Sequence, residues 1–244
     1  TDAYFAPNND LYLLNNQGSS LWLYKNNSAK EVIKPTEKLN VITVSKDGKD
    51  LYGGSAAGKV ILYDLNNNYN SKIIFQKDQT SITAINTNNK NDLVFGDNLG
   101  LTHFRINGKF SVKPSHTAPI TEVDFSEDGR FMATASRDRT IRLWNMSQLN
   151  QVPVELRDHD AQVTSIAFTP DNNQLMAGMY NASIKNWPTR IDEMSSLMCG
   201  NNHIIRNMSE DEWIQYVGEL TKIPYEVTCQ GLTVLSNQEE TNEQ

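Results

Sequence analysis

The feature that most constrains this chain is a repeat of about 40 residues that runs along most of its length. Each copy holds a short apolar run, a polar turn and a second apolar run. One anchor of the repeat, a residue at the end of the first run, recurs at spacings of 39, 41, 40 and 43 residues. An aromatic residue that closes a later run recurs at the same four spacings. The two sets are Phe5, Val44, Ile85, Phe125 and Phe168, and Tyr24, Tyr63, Phe104, Trp144 and Trp187.

Each copy is predicted to form β-strands rather than helices. The segment 120–125 alternates roughly with period two, and 131–136 and 141–144 are short runs bounded by turn residues. A further short run lies between copies, at 31–34, 72–75, 110–112 and 152–156, which makes four strands per copy. A four-stranded sheet of this size cannot bury both faces alone. Radial stacking of such sheets buries them, so the pattern predicts an all-β propeller.

Composition excludes several classes of protein. The 244 residues carry a net charge of −7, which disfavours a dedicated nucleic-acid binder because such a protein needs a basic face. No apolar run is long enough to span a membrane, so direct membrane insertion is not expected. Asn is abundant, with 28 residues, and it clusters between the apolar runs, which predicts many tight turns with left-handed backbone.

Residues 115–145 resemble a near-consensus repeat of the WD-repeat family, whose members fold as β-propellers, most often with seven blades. The resemblance implies a buried tetrad in which an Asp accepts from an imidazole and a hydroxyl links the imidazole to an indole N–H. The next copy departs from this pattern, with Asn181 where Asp is expected and Ala177 where Thr is expected. The four implied members are His116, Thr134, Asp138 and Trp144.

The resemblance covers about residues 3–190. The predicted blades are 3–38, 39–79, 80–117, 118–160 and 161–190, with the tetrad strong in one copy, partial in one and almost lost in three. A seven-bladed ring needs about 280 residues for its blades at about 40 each. We therefore expect that this is part of a seven-bladed ring whose missing blades lie upstream of Thr1 or in another chain. The start at Thr1, with no methionine, favours that expectation over a five-bladed ring.

The last part of the chain loses the repeat. Helical spacing and a capping box at Ser209 and Glu212 predict a helical C-terminal cap over 191–229, and 230–244 is predicted to be a disordered acidic tail. The cap also resembles the closing segment of WD-repeat arrays in large bacterial multidomain proteins. In those proteins an N-terminal signalling module, such as a STAND-type NTPase, a kinase or a protease, precedes the propeller. No phosphate-binding loop of the GxxxxGK[ST] type occurs in this chain.

No residue pattern predicts a catalytic site, a cofactor or a metal. Cys199, His203 and Cys229 have no compact zinc-binding spacing, and a fourth ligand is missing. Cys199 and Cys229 flank the predicted cap, and either a disulfide or a pair of packed thiols fits them. The absence of a leader favours a cytoplasmic location, with export left open.

Binding of a protein partner is the function that the resemblance implies. In the family, the loops that join blades and the turns between second and third strands share one face where partners dock. The corresponding residues are Asn98, Arg137, Arg139, Arg157, Asp158 and Tyr180. We expect a non-catalytic interaction or sensor domain of a larger bacterial signalling or scaffolding protein. The alternatives are a docking subunit of a membrane-associated machine and a ligand-binding or enzymatic propeller, the latter disfavoured because the strand positions nearest the channel are mostly apolar or small.

Overall fold

The computed structural model describes residues 2–15 and 18–189. The chain divides into two compact units, Thr1–Asn186 and Trp187–Gln244. The predicted helical cap 191–229, the predicted tail 230–244 and the residues Cys199, His203 and Cys229 lie outside the described residues.

The described residues form β-strands joined by turns, so the predicted all-β class is confirmed. No helix in the two described ranges is long and apolar enough to cross a membrane. The strands are β1 Asp2–Phe5, β2 Leu11–Asn15, β3 Ser20–Lys25, β4 Ser28–Ile33, β5 Leu39–Val44, β6 Asp50–Ser55, β7 Lys59–Asp64, β8 Asn70–Gln76, β9 Ile82–Thr87, β10 Leu93–Asp97, β11 Leu101–Ile106, β12 Lys109–Pro114, β13 Ile120–Phe125, β14 Phe131–Ser136, β15 Ile141–Asn145, β16 Val154–Leu156, β17 Val163–Phe168, β18 Gln174–Met179 and β19 Ile184–Pro188.

Strands that follow one another in sequence pair antiparallel, which gives five sheets. We call them blades 1 to 5: β1–β4, β5–β8, β9–β12, β13–β16 and β17–β19. Blades 1 to 4 have four strands each, and the described part of blade 5 has three. The first, inner strand shifts register near its start in blades 2 to 5, between Leu39 and Val41, Ile82 and Ala84, Ile120 and Glu122, and Val163 and Ser165. The repeat seen in the sequence is therefore a repeat of backbone geometry.

The turn between the first and second strands of every blade needs left-handed backbone at one position. Asn or Gly occupies that position in all five blades, and its N–H donates to the carbonyl three residues earlier. These residues support φ > 0 better than other types, so the predicted role of the Asn clusters is confirmed. The five residues are Asn9, Gly48, Asn91, Gly129 and Asn172.

Apolar side chains from adjacent blades form the core. One cluster joins blades 1 and 2 through Leu14, Leu21 and Leu39, all 1% exposed or less. A second joins blades 2 and 3 around Tyr52 and Phe95. A third joins blades 3 and 4, where the rings of Phe104 and Trp144 meet edge to face with centroids 5.4 Å apart. Burial of such large side chains, at about 25 cal/mol per Å² of apolar surface, is the main stabilising contribution.

Polar side chains on the inner strands link each blade to the next. Each link ends on a backbone group of the following inner strand, so it sets the position of one blade against its neighbour. The links are Ile42 N–H to Asp2 Oδ2 (2.8 Å), Asn40 Nδ2 to Ile82 O (2.9 Å), Asn86 Nδ2 to Val123 O (3.0 Å), Phe168 N–H to Asp124 Oδ2 (2.9 Å) and Thr121 Oγ1 to Val163 O (2.7 Å).

The face of blade 5 that points away from blade 4 is exposed and partly apolar. Met176 is 38% exposed and Ile184 is 69% exposed. Their counterparts in blade 4, Ala133 and Ile141, are fully buried. Blade 5 thus exposes apolar side chains at positions that are buried in blade 4.

Candidate functional site

A cavity of about 1080 Å³ opens where the inner strands begin. The second residue of each of four inner strands lines it: Asn40, Thr83, Thr121 and Thr164. The turns between second and third strands and the loops before the inner strands form the rim. The rim residues are Pro119, Arg137, Arg139, Asp160, Ala161, Gln162 and Tyr180.

The inner-strand residues of this lining are Asn40, Val41, Thr83, Ile120, Thr121 and Thr164. They agree with the expectation from the sequence that the positions nearest the channel are mostly apolar or small. Because side chains alternate along a strand, other apolar residues of the inner strands, such as Ile42, Val123 and Ile166, are buried in the blades, each 7% exposed or less.

The turns after the second strands of blades 4 and 5 place side chains at the rim. In blades 2 to 5 the N–H of the first residue of this turn donates to a backbone carbonyl of the segment that leads into the inner strand. These N–H groups belong to Ala56, Asn98, Arg137 and Tyr180, with distances of 3.1, 3.0, 3.1 and 2.9 Å. The repeated bond orients Arg137 and Tyr180 alike in adjacent blades. Tyr180 is 81% exposed.

Arg139 lies in the same turn as Arg137 and has left-handed backbone, with φ of 68°. Glycine occupies the equivalent position in blades 1 to 3, as Gly18, Gly58 and Gly100. At Gly58 and Gly100 a Cβ atom would lie 2.0 and 2.3 Å from a backbone oxygen, so glycine is required there. Blades 4 and 5 accommodate residues with a Cβ atom at this position instead, Arg139 and Ala182.

The structure brings three of the six predicted face residues together at the cavity and places three elsewhere. Arg137, Arg139 and Tyr180 line the rim. The side-chain oxygen of Asn98 accepts from the Ser81 N–H at 2.8 Å, which closes its own turn.

Arg157 and Asp158 are engaged in ion pairs beside the rim. The Arg157 Nε lies 2.6 Å from Glu155 Oε1, and Glu155 also pairs with Arg142. The Asp158 carboxylate pairs with Lys185. Within residues 2–15 and 18–189, by contrast, no ion pair or hydrogen bond engages the guanidinium of Arg137 or of Arg139.

The four tetrad residues of blade 4 form a continuous hydrogen-bonded chain. His116 Nδ1 lies 3.0 Å from Asp138 Oδ2, and His116 Nε2 lies 2.9 Å from Thr134 Oγ1. The Trp144 indole N–H donates to the same hydroxyl at 3.2 Å. Burial alone would raise the pKa of Asp138, but hydrogen bonds from His116, Thr140 and the Thr117 N–H hold that pKa far below its usual range. The chain ties the turn that carries both rim arginines to the core.

In blade 5 the corresponding histidine bonds to the neighbouring blade. His159 Nδ1 lies 3.0 Å from the carbonyl oxygen of Arg139, in the neighbouring blade, and burial lowers the pKa of its imidazole. The neutral form therefore donates through Nδ1. Asn181, which stands where Asp is expected, accepts from the hydroxyl of Ser183 at 2.6 Å.

Blade 3 holds an Asp–His pair that the sequence analysis missed. Asp97 Oδ2 lies 3.0 Å from His103 Nε2, and both side chains are buried. Asp97 Oδ1 accepts from the N–H groups of Leu99 and Leu101 at 2.9 Å. Although burial raises it, these bonds keep the pKa of Asp97 below its usual value. Asp97 and His103 are the last residue of β10 and the third of β11, a spacing from which the pair was predictable.

Two carboxylates on the inner strands act on a third. Burial, with the charges of Asp124 and Asp2, raises the pKa of Glu122 to about 7. Asp2 and Asp124 accept backbone hydrogen bonds from the next blade, so their oxygens are engaged in the fold. Among residues 2–15 and 18–189, no group of three His, Cys, Asp or Glu side chains has a geometry that could hold a metal ion.

Comparison with known proteins identifies the repeat. The family model for the WD domain, G-beta repeat, matches residues 108–145 and 150–188, which correspond to β12–β15 and β16–β19. A chain in a crystal structure of the mitotic checkpoint complex superposes with a TM-score of 0.67 at 18% identity, over 76% of this chain and 61% of that chain. At that identity the likeness concerns the fold alone. The five sheets and this likeness define an all-β propeller.

Relatives support WD repeats as the particular class. An uncharacterized WD repeat-containing protein of Synechocystis is 27% identical over 57% of this chain and 41% of its own length. Periodic tryptophan protein 2 of Arabidopsis thaliana is 23% identical over 76% and 21%. Eukaryotic translation initiation factor 3 subunit I of Aspergillus fumigatus is 31% identical over 43% and 32%. The chain spans less than half the length of each. Together these matches support a WD-repeat propeller.

Proposed function

We propose that this propeller is a non-catalytic platform that binds a protein partner at the rim of the cavity. One observation carries the proposal: Arg137, Arg139 and Tyr180 converge there and are exposed. Arg and Tyr are the residue types that contribute most to protein interfaces, because they combine large contact area with directed hydrogen bonds. The general use of WD repeats in protein–protein interaction agrees with this role.

An enzymatic propeller is the less favoured function. Carboxylates with raised pKa values near the channel are what an enzyme would need, and Glu122 and Asp124 meet that description. However, Asp124 is hydrogen-bonded to the Phe168 N–H, and Glu122 is not among the residues that line the cavity. We therefore assign these acids to the joint between blades.

The proposal extends to the kind of protein that contains this propeller. We propose that the platform serves a larger bacterial signalling or scaffolding protein, which the Synechocystis relative supports by its bacterial source. A docking subunit of a membrane-associated machine remains the alternative. The cytoplasmic location stays a prediction.

The seven-bladed ring also remains a proposal, and the apolar face of blade 5 supports it. We propose that a further blade, from flanking sequence or from another chain, covers Met176 and Ile184. The test is the rate of maleimide labelling of an Ile184→Cys variant in which Cys199 and Cys229 are replaced by Ser. We expect fast labelling in this 244-residue chain and protection in the product of the complete reading frame. Equal rates would reject a covering blade.

Site-specific photocrosslinking tests the proposed function. Benzoylphenylalanine at position 180 reports on the rim, and the same probe at position 152 is the control. Val152 is 89% exposed and lies in the loop after β15, at the opposite end of the blade. We expect one protein to crosslink from position 180 and not from 152, and the purified protein to bind wild type but not an Arg137→Ala, Tyr180→Ala variant. Equal crosslinking from both positions, or unchanged binding, would reject a rim platform.

A further inference from the structure

The rim carries positive charge on a chain that is otherwise acidic. The net charge of the chain is −7. Around the cavity, however, the charged residues are Arg137, Arg139 and the single acid Asp160. Every other lining residue is neutral. The lining therefore has a charge opposite in sign to that of the chain.

The carboxylate between the two arginines cannot satisfy them. Both oxygens of Asp138 are already acceptors: Oδ2 for His116 and the Thr117 N–H, both at 3.0 Å, and Oδ1 for Thr140. Its side chain is 8% exposed. The hydrogen-bonding capacity of Arg137 and Arg139 thus faces the cavity and solvent.

Backbone preference does not explain why Arg139 stands at this position. Glycine satisfies the same left-handed position in blades 1 to 3, and a residue with a Cβ atom is strained there. The turn holds Arg139 through two bonds, from its N–H to the Ser136 carbonyl at 3.3 Å and from His159 Nδ1 to its own carbonyl at 3.0 Å. Two backbone bonds and the neighbouring tetrad thus hold this turn, which carries a long cationic side chain at a left-handed position.

From these observations we propose that the rim binds an acidic segment of the partner protein. The inference rests on the proposed function and specifies the chemistry of the partner. Carboxylates of the segment bind the guanidinium groups of Arg137 and Arg139, because planar guanidinium forks match carboxylates geometrically. The exposed ring of Tyr180 packs on an apolar side chain of the same segment. The hydroxyl groups of Thr83, Thr121 and Thr164 donate to carbonyl groups within the blades, so their oxygens are acceptors for backbone N–H groups of the segment.

A nucleic acid fits these observations less well. Binding to a phosphate backbone depends on many cationic contacts, each of which releases counterions. Among the residues that the structure describes, the rim offers two cations without an ion-pair partner, on a chain with net charge −7, and that charge repels a polyanion at longer range. A short acidic peptide needs only the two.

Selection from a random library of displayed 12-residue peptides tests the proposal. The baits are the wild-type chain, an Arg137→Gln, Arg139→Gln variant and an Arg130→Gln control. Arg130 is a matched control because it precedes β14, at the end opposite to the rim, and pairs with Asp128 at 2.5 Å. We expect enrichment of Asp and Glu on wild type and on the control, and loss of that enrichment on the double variant.

Fluorescence anisotropy of the most enriched acidic peptide gives the affinity. We expect the double Gln variant to weaken binding at least about tenfold, and an Arg137→Lys, Arg139→Lys variant to weaken it less, because Lys keeps the charge but loses the bidentate fork. Thermal unfolding of each variant checks that it is folded. A 12-nucleotide single-stranded DNA serves as the competing ligand class.

Three results would overturn the inference: no peptides selected, selected peptides without acidic residues, or equal binding by the double Gln variant. Tighter binding of the DNA than of the peptide, lost in that variant, would assign the rim to phosphate instead. Crosslinking of a protein from position 180 alongside any of these results would leave the proposed function standing. The two proposals therefore fail separately.

Discussion

The imidazole of His159 donates to the carbonyl oxygen of Arg139 over 3.0 Å, and this bond joins blade 5 to the turn of blade 4 that carries both rim arginines. Arg139 has φ of 68°, a conformation that favours glycine. The same turn rests on the tetrad through Asp138. Two buried histidines on adjacent blades, His116 and His159, thus hold one strained turn at the mouth of the cavity.

Arg139→Gly distinguishes the effect of the strained turn on stability from the effect of the arginine on binding. The substitution relieves the left-handed strain, so we expect the free energy of unfolding to rise by up to about 1 kcal/mol. It also removes one guanidinium, so binding of an acidic peptide weakens. Urea unfolding and anisotropy measure the two effects, with Arg139→Lys as the variant that keeps both strain and charge. A less stable Arg139→Gly protein would mean that the side chain itself stabilises the turn.

Thr134→Val tests whether the tetrad acts as a connected chain. The methyl group leaves His116 Nε2 and the Trp144 indole N–H without their shared hydroxyl partner. An unpaired buried polar group costs about 1–3 kcal/mol, so we expect stability to fall by at least about 2 kcal/mol. Thr134→Ser keeps the hydroxyl and should lose less than half as much. A Thr134→Val protein as stable as wild type, or less destabilised than Thr134→Ser, would contradict a connected chain.

Glu122→Gln should stabilise the protein at alkaline pH. Burial and the charges of Asp124 and Asp2 raise the pKa of Glu122 from 4.5 to about 7, so the folded state keeps this proton to higher pH than the unfolded state. The free energy of unfolding therefore falls as the pH rises from 4.5 to about 7, and the whole loss is present above pH 7. We expect the variant to exceed wild type by up to about 3 kcal/mol at pH 8 and by less than about 1 kcal/mol at pH 5.

Urea unfolding at the two pH values measures this difference. Glu127→Gln, in an exposed turn, is the control and should change stability little at either pH. A gain for Glu122→Gln that is the same at pH 5 and pH 8 would contradict the assigned titration.

Asp97 has two functions that a pair of substitutions separates. Its carboxylate caps the Leu99 and Leu101 N–H groups and binds His103. Asp97→Ala loses both and should cost about 2–4 kcal/mol. Asp97→Ser should keep the caps, because Ser55 caps the equivalent turn of blade 2 with its hydroxyl, and so should cost about half as much in thermal unfolding. Identical losses would mean that the turn caps contribute nothing.

The strands, their order and the tetrad could be predicted from the sequence because each depends on a local pattern that recurs. Alternation fixes strands such as β13, and a near-consensus copy contains all four tetrad residues within 29 positions, from His116 to Trp144. The left-handed Asn positions followed from residue type alone.

The state of the rim arginines could not be predicted in the same way, because it depends on which carboxylates the fold brings within reach. Arg157 and Arg139 are both arginines in loops, yet only Arg157 has a carboxylate, that of Glu155, 2.6 Å from its Nε. Other effects join residues that are far apart in sequence, since the charge of Asp2 raises the pKa of Glu122 across 120 positions.

Hydrogen–deuterium exchange of the propeller with its crosslinked partner tests the central claim most directly. Binding at the rim predicts slower exchange at 137–140, 160–164 and 180–182, and unchanged exchange in the turns 126–130 and 169–173 at the opposite end of the same blades. Protection of those opposite turns, with none at 137–140, would contradict a rim platform.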